Sequence, residues 1–298
     1  MANPPDVKIP RPGTLFVVAT PIGNLDDLSP RAREAIARAA VVICEDTRRT
    51  ARLLGRFDIA ARTVSCHKFN ERGRIDDVLA RLAVGEDVAL LSDGGTPGIS
   101  DPGAVVVAAV LERGLPVSPV PGPSAAVAIL SVSGFPADRF VFEGFLPHRA
   151  SDRRARLREL VDDPRTIVAF DSPLRVLDTL EDLDAVFGER AVVLGRELTK
   201  LHETVVRGSA VELIGHLSAT LPVRGEIVLA IAGSRGTAAG GRDAEEREAL
   251  RAKWREALDA ASGDRREALR ALARELGARR AALWRRLVEA RVVEEADT

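Results

Sequence analysis

One pattern limits what this chain can fold into. Short, continuous apolar runs each lead into a polar loop, and each loop leads into a helical stretch. Two further strands are read at 62–65 and 116–120; the apolar runs themselves lie at residues 15–19, 41–44 and, after Asp87, within 87–91. They do not alternate polar with apolar, so they predict strands buried on both faces, as in a parallel sheet. Strands alternating with helices predict an open α/β sheet over the first 120 residues or so. Ligands of such sheets bind at the carboxyl ends of the strands, and the polar motifs of this region fall there.

The densest motif is Ser92-Asp93-Gly94-Gly95-Thr96-Pro97-Gly98-Ile99-Ser100-Asp101-Pro102-Gly103. Asp101-Pro102 reads as a helix N-cap with proline at the first helical position. Residues 92–100 hold more glycine, proline and hydroxyl groups than a turn needs, which points to a ligand-binding loop. Three other loops share its edge. They are Thr20-Pro21-Ile22-Gly23-Asn24-Leu25, Glu45-Asp46-Thr47-Arg48-Arg49-Thr50 and Pro121-Gly122-Pro123-Ser124-Ala125. In the second of these, Asp46 or Thr47 caps the next helix, and whether the group does more is open. Cys66-His67-Lys68-Phe69-Asn70-Glu71 follows the strand read at 62–65, placing His67 and Lys68 just past it. No GxGxxG follows the first run and no Walker A motif occurs, so neither a standard dinucleotide Rossmann site nor a P-loop is expected.

A second α/β run follows, with strands near 140–142, 166–170, 191–194, 204–207 and 226–231. Val206-Arg207-Gly208 reads as a hairpin turn, which makes this second sheet mixed. A basic helix is expected at 149–161 (Arg149, Arg153, Arg154, Arg156, Arg158). The expected organisation is a disordered leader at 1–12, an α/β domain at 13–121, a second at 122–232, a linker at 233–243 and a helical domain at 244–298. Tail helices are expected at about 244–261, 264–276 and 278–290. Leu269, Leu272, Ala273, Leu276, Leu283 and Leu287 form their buried face. Between 264 and 291 there are nine arginines against four acids, with Trp284 beside Arg285 and Arg286. The last two helices have helix-turn-helix spacing, and their basic excess points to RNA contact.

Composition excludes several classes. With 298 residues and 46% hydrophobic content the chain can bury a large core, and a net charge of −1 gives no global nucleic-acid or membrane signature. No apolar run approaches the roughly 20 residues of a membrane span, and no secretory signal is present. Cys44 and Cys66 form no CxxC pair, which suits a reducing cytoplasm. Lysine occurs only at 8, 68, 200 and 253, whereas arginine is abundant. A lysine kept within a polar motif, such as Lys68 or Lys200, suggests a need for a compact charge.

Six motifs in order now carry a resemblance. They are Val18-Ala19-Thr20-Pro21-Ile22-Gly23-Asn24-Leu25, Glu45-Asp46-Thr47-Arg48, the 92–103 stretch, Pro121-Gly122-Pro123-Ser124-Ala125, Glu143-Gly144-Phe145-Leu146-Pro147 and Arg196-Glu197-Leu198-Thr199-Lys200. Together they resemble the bacterial 16S ribosomal RNA cytidine 2′-O-methyltransferases, a branch of the tetrapyrrole methylase (class III S-adenosylmethionine-dependent) superfamily. The resemblance runs from about residue 13 to 231, with a similar helical tail. It implies an α/β fold of two domains, a parallel open sheet plus a second mixed sheet, with a helical C-terminal appendage. S-adenosylmethionine would lie folded between the domains, in a cytoplasmic homodimer without a metal, acting on 16S RNA or the small ribosomal subunit. The donor-binding residues it implies are Pro21, Gly23, Ser92, Asp93, Gly94, Gly95, Thr96, Ser124, Ala125, Asp171, Glu197, Gly225 and Glu226. Three positions depart from the family pattern. Gly94 stands for Ala, Asp171-Ser172-Pro173-Leu174-Arg175 for Glu-Ser-x-His-Arg, and Trp284 for Tyr.

Methyl transfer to a ribose hydroxyl needs alignment, desolvation and help with a proton. The candidate groups at strand ends are Glu45, Asp46, His67, Lys200 and Glu203, and residue type alone does not choose among them. Arg48, Arg49, Arg149, Arg153, Arg154, Arg279, Arg280, Arg285 and Arg286 are the candidates for RNA phosphates. Two other functions fit the same residues. A tetrapyrrole-type small-molecule methylase would not need the basic helix and tail. A non-catalytic RNA-binding protein would not bind the donor.

Overall fold

The computed structural model describes residues 11–67, 70–219, 221–234 and 239–276 together with 280, 283, 284 and 287; from 239 to 248 the backbone alone is described. The chain divides into two compact units, Met1–Gly233 and Ser234–Thr298.

In the first unit the five strands read from the sequence form one sheet. Its strands are β1 (Leu15–Val18), β2 (Val41–Cys44), β3 (Thr63–Ser65), β4 (Val88–Leu91) and β5 (Val117–Val120), in the order β3-β2-β4-β1-β5. Every neighbouring pair is parallel. Four helices cover the sheet: α1 (Pro30–Arg38), α2 (Thr47–Arg56), α3 (Glu71–Ala83) and α4 (Ala104–Glu112). On one face Ile36, Leu53 and Leu54 pack against Val42, Ala89 and Leu91. On the other, Val78, Leu82, Val106 and Val110 pack against Ile43, Val88 and Leu90. Each such aliphatic side chain contributes about 1.5–3 kcal/mol on burial. This double coating is why β2 and β4 are apolar throughout.

Local chemistry sets the helix ends. Ser29 accepts from the Ala32 N–H at 3.1 Å with Pro30 at the first helical position. Asp46 accepts from the Arg48 N–H at 2.8 Å and so caps α2. Asp101 does not cap α4, contrary to the Asp-Pro reading. Ser100 turns through φ 66° and Gly98 through φ 81°, and the helix starts only at Ala104 after Gly103 at φ 129°. The Gly103 N–H is met instead by buried Glu71, whose Oε1 reaches across from α3 to 2.7 Å.

The second sheet follows α5 (Ala125–Ser133). Its strands are β6 (Phe140–Phe145), β7 (Thr166–Asp171), β8 (Val192–Arg196), β9 (Thr204–Gly208) and β10 (Ile227–Ile231), in the order β6-β7-β10-β8-β9. β6 and β7 are parallel, while β10 is antiparallel to both neighbours, so the sheet is mixed. Ile129 and Leu130 of α5 pack on one face against Val168, Val193 and Val228. The other face carries α6 (Ala150–Glu159), α7 (Val176–Phe187) and α8 (Ala210–Ser218). Val206-Arg207-Gly208 is not the hairpin turn; these residues pair with Leu194, Val193 and Val192 inside β9. The turn lies at 197–203, where Glu197 and Thr199 take positive φ.

The second unit contains α9 (Ala239–Ala260) and α10 (Arg265–Glu275). α9 begins inside the stretch expected as linker. Asp264 caps α10, accepting from the Arg266 and Glu267 N–H groups at 2.9 and 3.1 Å. Leu250, Trp254, Leu272, Leu283 and Leu287 form the unit's own core, with Trp284 partly buried against it. Leu276, expected inside, is exposed. Most of the expected third helix at 278–290 lies outside the described residues. Among the described residues no helix is long and apolar enough to cross a membrane.

Candidate functional site

The carboxyl ends of β1 and β4 are neighbours, so the loops that leave them meet. Thr20 and Gly95 exchange backbone hydrogen bonds at 2.8 and 2.9 Å. The Thr20 hydroxyl donates to the Ser92 carbonyl at 3.1 Å, and the Ser92 hydroxyl donates to the Gly95 carbonyl at 3.1 Å. Asp93 ties in the end of β2. Its Oδ1 accepts from the Asp46 N–H at 3.0 Å and its Oδ2 pairs with Arg49 at 3.4 Å. Three of the four strand-end loops are thus held as one surface.

Facing that surface are the ends of β6, β7 and β10. Between them lies a cavity of about 370 Å³, within the roughly 300–1,000 Å³ of small-molecule sites. Its first wall holds Ile22, Glu45, Arg49, the 93–101 loop, Ser124 and Ala125; its second holds Phe145, Phe170, Asp171, Leu198 and Glu226. The apolar and aromatic groups give it a dry lining, and the carboxylates make it electronegative.

Burial and neighbouring carboxylates together shift the acids of the walls. Burial, then Glu45, Asp93 and Glu226, push Asp101 up to about 6, although a hydrogen bond from Ser92 opposes them. Glu45 is raised by its burial and by Asp93 and Asp46, against the pull of Arg49 and His67. Asp46 is lowered by the Arg48 N–H and guanidinium, as befits a cap.

The donor-site residues named from sequence fall into two groups. Asp93, Gly94, Gly95, Thr96, Ser124, Ala125, Asp171 and Glu226 line the cavity. Pro21 and Ser92 stand directly behind it: a Cβ on Gly94 would come to 3.3 Å from the Pro21 carbonyl. Gly23, Glu197 and Gly225 instead clamp the first loop to the β8–β9 turn. A Cβ on Gly23 would come to 2.8 Å from the Leu198 carbonyl. The Asn24 N–H donates to Thr199 Oγ1 at 3.0 Å. Glu197 accepts from Lys200 at 2.7 Å and from the Glu226 N–H at 2.9 Å.

Of the candidate proton-handling groups, only Glu45 lines the cavity. Asp46 caps α2. His67 is outside the lining, its N–H donating to Asn70 Oδ1 at 2.7 Å. Lys200 pairs with Glu197 at 2.7 Å and Glu226 at 3.3 Å. Glu203 is exposed and accepts from the Thr199 N–H at 2.6 Å. Lys68 lies outside the described residues.

The basic candidates also separate. Arg48, Arg149 and Arg280 are exposed, and Arg49 stands at the cavity's edge. Arg154 is half-buried and pairs with Asp182 at 3.1 Å. Arg153 is a correction: its side chain is 3% exposed and pairs with Asp182 at 2.7 Å. A guanidinium enclosed in that way is not presented to a phosphate. Arg279, Arg285 and Arg286 lie outside the described residues.

Sequence reasoning missed Asp101, Arg49 as a wall, and the apolar lining of Ile22, Phe170 and Leu198. The apolar residues look like core in sequence. Asp101 was hidden by its neighbour, because an aspartate before proline has the signature of a cap.

Comparison with known proteins adds a family. The model described as tetrapyrrole (corrin/porphyrin) methylases matches residues 14–214. Ribosomal RNA small subunit methyltransferase I of Pseudomonas aeruginosa is 48% identical over 223 residues, 74% of this chain and 79% of that protein. The protein of that name from Escherichia coli O157:H7 is 44% identical over 75% of this chain and 79% of its own. The one from Thermotoga maritima is 43% identical over 74% of this chain and 99% of its own. Among solved structures, a Thermus thermophilus uroporphyrin-III C-methyltransferase complexed with S-adenosyl homocysteine superposes with a TM-score of 0.53 at 19% identity, covering 74% of this chain and 97% of that one. The cobalamin-biosynthetic cobalt precorrin-4 methyltransferase gives 0.56 at 17% identity, covering 73% and 94%.

Proposed function

The chain belongs to the tetrapyrrole methylase family and, within it, to the relatives named ribosomal RNA small subunit methyltransferase I, and on that premise we propose that it methylates the 2′-hydroxyl of a cytidine ribose in 16S ribosomal RNA. The enzyme is an S-adenosylmethionine-dependent ribosomal RNA methyltransferase. One observation carries the donor site: the cavity is at once enclosed by apolar groups and ringed by Glu45, Asp93, Asp101, Asp171 and Glu226. The residues present fit a cationic nucleoside. Asp171 Oδ2 is buried without a hydrogen-bond partner among the described residues, while its Oδ1 is fixed by Arg175 and the Ser172 N–H, both at 2.7 Å. As it stands the Asp171 side chain is 0% exposed, so it would meet a bound ligand only if the wall shifts to admit it.

When bound, S-adenosylmethionine supplies a methyl group already activated on a sulfonium. The chain supplies the rest. The carboxylates set a negative potential that favours the positive donor. Ile22, Phe170 and Leu198 exclude water, and the Thr20–Gly95 bridge keeps the first wall in place. Alignment of this kind lowers a barrier by up to about 7–11 kcal/mol. Arg48, Arg49 and Arg149 would meet RNA phosphates near the cavity, with Arg154, Arg279, Arg280, Arg285 and Arg286 as further contacts. The test is nucleoside mass mapping of 16S RNA from a strain lacking this protein, before and after treatment with the purified enzyme. A 2′-O-methylcytidine should be missing and then restored. An unchanged 2′-O-methyl pattern would reject the reading.

The helical unit has a separable role in the same reading. The Thermotoga relative is matched over 99% of its length by 74% of this chain, so about a quarter of this chain has no counterpart there. A chain ending at Ser234 should keep donor affinity within about twofold. Its RNA affinity should fall about tenfold or more, with a shallower salt dependence as phosphate contacts are lost. Calorimetry and filter binding measure the two; equal losses would refute the role.

The reading also includes a homodimer in the cytoplasm. Its support is the apolar outer surface of α4 and α5, where Val105, Leu111, Val127 and Val132 are 42–59% exposed. Helices that are apolar all round are normally covered.

A further inference from the structure

Asp101 has lost the role its position suggests. The 98–103 loop bends through positive φ at Gly98, Ser100 and Gly103, and for Ser100 that conformation is strained. Strain of this kind persists where the surrounding structure holds it, and it concentrates at working sites. Here it turns the Asp101 carboxylate away from the start of α4 and into the cavity wall. The capping duty passes to Glu71, whose Oε1 meets the Gly103 N–H at 2.7 Å. Buried Glu71 and a strained serine thus leave the half-buried Asp101 carboxylate at the cavity, where Ser92 hydrogen-bonds to it.

The other carboxyl groups of the cavity are committed or differently placed. Asp93 is held by Arg49 and the Asp46 N–H. Asp171 is held by Arg175. Glu226 pairs with Lys200 and is mostly exposed. Glu45 stands beside Arg49 and remains the nearest rival.

Building on the ribose-methylation reading, we propose that Asp101 is a catalytic residue that accepts the proton of the ribose 2′-hydroxyl as its oxygen takes the methyl group. The step balances. The ribose oxygen forms the new C–O bond, the C–S pair stays on sulfur, which ends neutral, and the hydroxyl proton moves to an Asp101 oxygen and then to solvent. The charged groups facing Asp101 are Glu45 from the end of β2, Asp93 from its own loop and Glu226 from the start of β10, and Arg49 of α2 lines the same cavity. Burial first, then Glu45, Asp93 and Glu226, raise Asp101 to about 6 against the Ser92 hydrogen bond, so near neutral pH the carboxylate is ionised yet still a useful base.

The test compares the whole enzyme with Asp101→Asn and Asp101→Glu in single-turnover methylation of unmodified small ribosomal subunits, at saturating donor and across pH. Asp101→Asn should be about 100-fold slower or more even at saturating donor, so that any loss of donor affinity is kept out of the comparison. Asp101→Glu should regain about tenfold over the asparagine variant. The wild-type rate should rise with pH and level off above about 6, and Asp101→Asn should lack that rise. Folding is read separately. A carboxyl raised in the folded state makes the native protein bind more protons between about 3.8 and 6, so stability falls as pH rises through that window. Asp101→Asn should therefore melt no lower than wild type at pH 8. A wild-type rate, an unchanged pH profile or a lower melting temperature in Asp101→Asn would each overturn the assignment. The product of the wild-type enzyme distinguishes the premise: a methyl group mapped to a base, not to a ribose, would overturn the ribose reading and this one with it.

Discussion

Gly95→Val is expected to weaken donor binding by about 10- to 100-fold, while Gly94→Ala leaves it within about twofold. The two glycines are adjacent, and their backbones differ. Gly95 sits at φ 89°, where a side chain is strained whatever space surrounds it. It also gives and takes the two hydrogen bonds to Thr20 that join the β1 and β4 loops. A β-branched residue there would relax the loop in the free protein, and binding would have to force it back. Such strain costs of order 1–3 kcal/mol, and every 1.4 kcal/mol is about tenfold in affinity. Gly94 has no positive φ, and an added Cβ would come to 3.3 Å from the Pro21 carbonyl and 3.7 Å from Ile22 Cα. A shift of a few tenths of an ångström accommodates it. Titration calorimetry with S-adenosylmethionine measures both variants; equal losses would show that bulk, not backbone conformation, governs the loop.

Asp182→Ala is expected to destabilise the first unit by about 3–5 kcal/mol, because it leaves the Arg153 guanidinium buried and unpaired. Arg153 donates through Nε to Asp182 Oδ2 at 2.7 Å, and Arg154 pairs with the other oxygen at 3.1 Å. The side chains of Arg153 and Asp182 are 3% and 7% exposed. With roughly 2–4 °C per kcal/mol for a unit of this size, the melting temperature should fall by about 6–20 °C. Replacing both partners, Arg153→Met with Asp182→Leu, should restore most of the loss, since well-packed apolar pairs often match buried ion pairs. RNA affinity in that double variant should equal the wild type's. Calorimetric melting and filter binding decide the matter: a loss of RNA affinity without a loss of stability would return Arg153 to the phosphate-binding set.

Much of the first unit was legible because its signals are local. Val88-Ala89-Leu90-Leu91 can only be a strand covered on both faces, and Ser29-Pro30 and Asp46 announce helix starts through groups two or three residues away. The donor loop was legible for the same reason: glycine, proline and hydroxyl groups bunched at a strand end have no other economical use. The clamp of Gly23 and Asn24 under Leu198 and Thr199 was not legible. It joins positions some 175 residues apart, and no spacing rule spans that distance.

Sequence by itself determined the alternation of strand and helix, the edge on which the polar loops collect, the acidic and glycine-rich character of the 92–103 stretch, and the family. Tertiary structure alone decided how individual charges are used. Arg153 and Arg149 read alike in a basic helix, yet one is enclosed with Asp182 and the other is exposed. Asp101 reads as a cap until Glu71, 30 residues earlier in the chain, takes the Gly103 N–H. The physical reason is the same in both cases. A side chain's charge is a local property, whereas its partner and its share of solvent belong to whatever the fold brings beside it.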